Sequence, residues 1–135
     1  GLARAALAAC RSRGAAPVTI ASRRWSLVDA VAAEPDVDAV HSAAGARELG
    51  RLLARTGARR PRTVCARRDL LSEEVVAHLL GAATAVFTWP VDDLGDAALL
   101  TAWGVGGLIC DDLGVVQELV RNRGRIPPRR GVPHR

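Results

Sequence analysis

The chain has 135 residues, enough for one compact domain, and nearly half of them are hydrophobic, so a core can form. Its basic residues are all arginine, and the net charge of +5 is concentrated at the C-terminus, where Arg121, Arg123, Arg125, Arg129, Arg130 and Arg135 fall in the last fifteen residues. Aromatics are few and the cysteines Cys10, Cys65 and Cys110 lie far apart, which excludes a zinc-ribbon spacing and argues against a disulfide framework.

In chain order, Leu2 to Arg13 reads as an Ala-rich helix closed by Gly14. Pro17 to Ser22 is a β-branched run and hence a strand. Ser26 to Glu34 reads as a helix, with Leu27 and Val31 one turn apart and Pro35 as its stop. Val37 to Ser42 is a second strand. Ala46 to Thr56 is amphipathic, placing Leu49, Leu52, Leu53 and Thr56 on one face before Gly57 ends it.

Thr63 to Ala66 forms a third, short strand. Ser72 should cap a helix that opens on Glu73 and Glu74, where acidic side chains meet the positive end of the helix dipole. Val75, Val76, Leu79 and Leu80 would form its buried face, and Gly81 its end. Ala85 to Trp89 is apolar enough to be a strand buried on both faces. Asp93 is placed to cap the next helix, which runs through Trp103 to a turn at Gly104. Leu108 to Cys110 is the fifth strand, and Leu113 to Val120 the last helix. Residues 121–135, rich in Arg, Pro and Gly, read as a disordered basic tail after a domain of residues 1–120.

Strand and helix thus alternate, which predicts an α/β fold with a parallel sheet. The βα units are short and uniform and suit a (β/α) barrel. A full barrel needs eight strands and about 250 residues, so this chain would supply about five βα units of one. With no Met anywhere in the sequence, the chain reads as processed or as a fragment. The run Leu2 to Cys10 is too short to span a bilayer, so neither a transmembrane segment nor a signal peptide is expected.

The segment TAVFTWPVDDLGDAALLTAWGVGGLICDDLGVVQELV resembles the end of the glycerophosphodiester phosphodiesterase family. That family pairs a strand like V-x-x-W-T-V-N-D with a following G-V-D-G-I-I-T-D-x-P. Trp89, Val91 and Asp93 match the first motif; Gly104, Val105, Gly107, Ile109 and Asp111 match the second. Val18 to Ser22 resembles the family's V-x-I-S-S-F strand, and Asp69 to Val76 the stretch before the helix that precedes the Trp strand. Departures include Pro90, Asp92, Gly106, Cys110 and Arg23, and they bear on pocket detail.

The resemblance implies the C-terminal part of a TIM-type (β/α)8 barrel with phospholipase-C-like phosphodiesterase architecture. It implies metal-dependent hydrolysis of glycerophosphodiesters to glycerol 3-phosphate and an alcohol, with Mg or Ca as cofactor and a small-molecule substrate. The family's H-R-G, E-x-D, H-D and E-x-K motifs hold the metal and the acid/base histidines, and none of them is in this chain. The chain alone is therefore expected to be inactive, to bind no nucleic acid, to self-associate through its open sheet, and to be cytoplasmic.

Substrate contacts are expected from Trp89 as a pocket wall, from Asp111 at a strand end, and from Arg23 by bidentate contact with a phosphate. Each has a plainer reading: a core Trp, a turn hydrogen bond, an exposed loop. The pairs Asp111/Asp112 and Asp92/Asp93 invite a metal reading, but a cap at Asp112 with a turn contact at Asp111, and helix capping at Asp92/Asp93, suit them better. His41, placed at the end of the second strand, would point to the barrel mouth or be a partly buried polar residue, and His78 would be a solvated helix residue. Gly104 to Gly107 precedes a strand, so a dinucleotide loop is excluded. The alternative function is a non-catalytic, degenerate α/β module that binds an anionic partner through Arg23/Arg24 or the tail.

Overall fold

The computed structural model describes residues 1–55 and 62–122. Five parallel strands lie side by side in sequence order: β1 (Val18–Ser22), β2 (Val37–Ala43), β3 (Thr63–Arg67), β4 (Ala85–Trp89) and β5 (Gly107–Leu108). Helices α1 (Leu2–Arg11), α2 (Trp25–Asp29), α3 (Ala46–Ala54), α4 (Glu73–Ala82), α5 (Leu94–Trp103) and α6 (Leu113–Arg121) alternate with them. A sheet whose strand order follows chain order is half of a (β/α) barrel, as the sequence predicts. Thr56 and the tail from residue 123 onward lie outside the described residues.

Register partners in parallel strands share a face. Val64 pairs with Val86, and Ala66 with Thr88. These residues face the helices: Val64, Ala66 and Val86 join Leu52, Val76, Leu79, Ala97 and Leu100 in the main core. The buried Thr88 hydroxyl donates to Ala66 O at 2.7 Å. At the other end of the sheet Leu7, Val31 and Val37 form a smaller core under α1. The opposite, inner face carries Thr63, Cys65 and Arg67 from β3 beside Ala85, Phe87 and Trp89 from β4.

Both faces of β4 were expected to be buried. Val86 and Thr88 are fully buried, whereas Ala85, Phe87 and Trp89 are only half-buried. The difference follows from the open barrel: helices roof the outer face, while the concave inner face has only its own curvature to cover it.

Local chemistry sets the element ends. Gly14 and Gly104 adopt left-handed φ of +75° and +100°, which turn the chain after α1 and α5. Ser72 caps α4 by accepting from Val75 N, and that helix runs past Gly81 to Ala82. The second helix is shorter than Ser26 to Glu34 and starts at Trp25, because its indole is buried and donates to Ser42 O at 2.9 Å. β5 begins at Gly107, but its hydrogen bonding continues beyond Leu108, with Ile109 N donating to Thr88 O at 2.9 Å and Val91 N to Ile109 O at 3.0 Å.

Candidate functional site

In (β/α) barrels, ligand-binding groups sit at the C-terminal ends of the strands. Here that rim carries Arg23 after β1, Arg67 at the end of β3, Trp89 at the end of β4 and Asp111 after β5. An open cleft of about 500 Å³ lies there, lined by Arg67, Arg68, Asp69, Pro90 and Asp96.

Trp89 ends β4 on the inner face, half-buried, before a cis bond to Pro90. Its register partner across the sheet is Arg67. Strands lie about 4.8 Å apart, so the indole and guanidinium start from adjacent backbone positions on one face. Arg67 is about half exposed and donates to Asp69 through Nε and Nη2, both at 2.7 Å. This pairing raises the guanidinium pKa and fixes the side chain at the rim while leaving it open to water. Arg67 escaped the sequence reading because the expected strand stopped at Ala66. One residue more, counted by twos from Cys65, would have put it beside Trp89.

Arg68 turns the other way. It holds Asp96 through Nε at 2.8 Å, donates to Leu71 O at 3.2 Å, and lies 5.2 Å from the centre of the Trp103 ring. Its role is to tie the β3 loop to α5. Arg23 is exposed and pairs with Glu48 at 3.3 Å. Glu48 reaches back to accept from Ala44 N at 2.6 Å, and that backbone contact first, then Arg23, holds its carboxyl below the usual range. Two strands separate β1 from β4, so Arg23 stands roughly 14 Å along the sheet from Trp89. The two share a rim but not a contact.

The motif residues divide by what the fold asks of them. Val91 and Val105 are core residues. Asp93 caps α5, accepting from Asp96 N at 2.7 Å, and Asp112 caps α6, accepting from Gly114 N at 2.8 Å and Val115 N at 3.1 Å. Gly104 makes the turn. Gly107 is required by the Phe87 ring, which leaves no room for a side chain. Trp89, Asp111 and Ile109, which is 48% exposed, are left without such a duty. Asp111 is exposed, with no hydrogen-bond partner among the described residues, so the expected turn contact is not formed.

His41 does not reach the mouth. It shares a face with Val64, toward the helices, and is 3% exposed. Its ring meets Trp25 edge-on at 5.5 Å, and its Nε2 lies 2.8 Å from Asp29 Oδ1 and 2.6 Å from Arg55 Nη1. Ser42 and Ala43 extend β2 two residues past it, so His41 lies short of the strand end, and alternation puts it on the outward face with Val64 and Ala66. His78 is exposed on α4.

Among the described residues, no three of His, Cys, Asp and Glu converge to hold a metal ion. Of the carboxylates near the rim, Asp93 and Asp112 are committed to caps and Asp69 and Asp96 to arginines, and the exposed Asp92 and Asp111 alone fall short of the oxygen-rich shell that Mg or Ca needs. No helix among the described residues is long and apolar enough to cross a membrane.

No protein-family profile matches the sequence, and no curated protein matches it. Among solved structures, the chain is similar to a protein of Silicibacter pomeroyi DSS-3 assigned as a glycerophosphoryl diester phosphodiesterase. The identity is 20%, the TM-score is 0.70, and the match covers 90% of this chain and 44% of that one. The likeness establishes the fold, and the chain spans less than half the length of the protein it matches.

Proposed function

We propose that this chain is the C-terminal part of a glycerophosphodiester phosphodiesterase and supplies one wall of its substrate pocket, while the metal and acid/base groups come from elsewhere in a longer protein. One observation carries the reading. The paired motifs, seen in a half-barrel that matches a structure of that assigned activity, fall at adjacent strand ends, and the fold accounts for Val91, Asp93, Gly104, Val105 and Gly107 but gives the side chains of Trp89, Asp111 and the exposed Ile109 no structural duty.

In this reading Trp89 is an apolar wall for the glycerol portion. Arg67, two fixed hydrogen bonds behind it, offers its exposed guanidinium edge to the phosphate. Asp111 accepts from a substrate hydroxyl. Arg23 stands farther along the rim, where it would meet the larger end of a diester. A divalent cation, held by residues outside this chain, would polarise the phosphoryl oxygens. Nothing in the described residues supplies the general acid and base, so binding and orientation are this chain's contribution.

The test is kinetic and uses a longer protein that contains this chain. Trp89→Ala should raise KM for a glycerophosphodiester several-fold with little change in melting temperature, and Arg67→Ala should do the same with stronger salt dependence. A large fall in melting temperature with KM unchanged would make Trp89 a core residue and end the pocket assignment.

A further inference from the structure

His41, Trp25, Asp29 and Arg55 form a polar cluster on the outer face of the sheet, apart from the rim. The imidazole is 3% exposed, and its Nδ1 has no hydrogen-bond partner among the described residues. Its polar contacts therefore all fall on Nε2. That nitrogen has two neighbours of opposite kind: Asp29 Oδ1, an acceptor, at 2.8 Å, and Arg55 Nη1, a donor, at 2.6 Å. Arg55 also donates through Nη2 to Asp29 Oδ2 at 3.1 Å and to Oδ1 at 3.3 Å.

One ring nitrogen serves only one of these neighbours at a time. In neutral imidazole, Nε2 either carries the ring proton or offers a lone pair. An Arg55 N–H at 2.6 Å fits the lone pair alone, because two N–H groups that close would clash. Nε2 is then the acceptor, the ring proton sits on Nδ1, and Asp29 is held by Arg55 rather than by the ring. In the imidazolium both nitrogens are donors. Nε2–H then donates to Asp29, and the ring faces the guanidinium as a like charge.

We propose that this cluster is a proton-driven latch: a proton taken from solvent turns Nε2 from acceptor to donor, hands its contact to Asp29, and drives Arg55 from the ring and out to water. Arg55 leads directly from the end of α3, Asp29 ends α2 and His41 lies on β2, so the exchange loosens α3 while tightening α2 on the sheet. The surroundings leave the choice to this pair. Arg51, from α3, lies over the Trp25 ring at 4.2 Å, and Trp25 itself meets the imidazole edge-on. The register partners Ser22 on β1 and Val64 on β3 carry no charge. Burial, ahead of the other influences, and the Arg55 charge oppose protonation, while the hydrogen bond and charge of Asp29 favour it. The balance holds the imidazolium below the ordinary pKa of about 6.5, so the latch is closed at neutral pH and opens in mild acid. The proposal does not depend on the phosphodiesterase reading.

The experiment is a pH titration of the 15N-labelled 135-residue chain by NMR, with the His41 ring identified by its loss in His41→Gln. At neutral pH the two nitrogens should report the Nδ1–H tautomer. On acidification the ring should take up one proton with a midpoint below about 6.5, and through-space contacts between Arg55 and the Trp25 ring, whose centre lies 5.2 Å from the guanidinium carbon, should vanish with the same midpoint. Arg55→Gln should raise the ring's midpoint and Asp29→Asn should lower it, while circular dichroism reports an unchanged fold across the titration. An Nε2–H tautomer at neutral pH, Arg55 contacts that persist after the ring has titrated, or a midpoint indifferent to Arg55→Gln would overturn the proposal. So would loss of the fold in step with the ring, because the cluster would then govern stability and not exchange partners.

Discussion

Gly107→Ala probes the seam between β4 and β5. Gly107 is the register partner of Phe87. A methyl group there would lie 2.4 Å from Phe87 Cδ1 and 2.6 Å from Cε1 and Cγ. Carbon atoms in contact sit about 3.5–4.0 Å apart, so the ring must retreat by roughly 1 Å or more. Gly107 does not have a positive φ, so the cost is steric. Overpacking costs about 1–3 kcal/mol, and Phe87 is half-buried on the open inner face and can yield, which places this change near the lower end. The assay is urea unfolding followed by the fluorescence of Trp25, Trp89 and Trp103. With a slope of about 1–3 kcal/mol/M for a small domain, the midpoint should fall by about 0.3–1 M. In a Phe87→Ala background the same glycine change should cost almost nothing, because the obstructing ring is gone. An unchanged midpoint in the parent, or an equal fall in both backgrounds, would refute the register and the inner-face assignment together.

Stability should also depend on His41 between pH 7.5 and 5.5. Burial first, and the Arg55 guanidinium with it, hold the His41 imidazolium below its ordinary pKa against the pull of Asp29. The unfolded state then binds the proton more readily, so stability is full above about pH 6.5 and falls as pH drops through that value; urea midpoints should show the fall, and His41→Gln should flatten it, whereas a flat parent profile would contradict the assignment. Cys65 is buried, and burial pushes its thiol up to about 11. A thiol reagent at neutral pH should therefore modify Cys10 and Cys110 in the native chain and reach Cys65 only after denaturation, and fast native labelling of all three would show that the inner face is more open than described. Removing the Asp93 cap by Asp93→Ala should lower stability by about 1 kcal/mol, read as a urea-midpoint shift, while a neutral result would mean that water replaces the cap.

The order of strands and helices was legible because the chemistry is local: Gly14 and Gly104 at turns, Ser72, Asp93 and Asp112 as caps, and apolar runs for strands. Side-chain direction was legible only where the register could be counted. Val86 and Thr88 fall on the helix side, as alternation from Trp89 requires, but His41 was assigned to a strand end that lies two residues further on. The loss of Arg67 has the same origin, a strand end placed one residue early. The Trp25, His41, Asp29 and Arg55 cluster was not legible at all, since it joins α2, β2 and the segment after α3 through contacts that sequence spacing does not reveal. The half-buried state of Phe87 and Trp89 depends on what closes the barrel, which no property of β4 encodes.

Release of glycerol 3-phosphate tests the central claim most directly. The purified 135-residue chain and the longer product proposed for its reading frame, with H-R-G and E-x-D motifs upstream, would each be incubated with a glycerophosphodiester and Mg or Ca. The account predicts metal-dependent release by the longer product and none by the chain alone. Release by the chain alone, or a longer product that carries the motifs, folds and remains inactive, would contradict it.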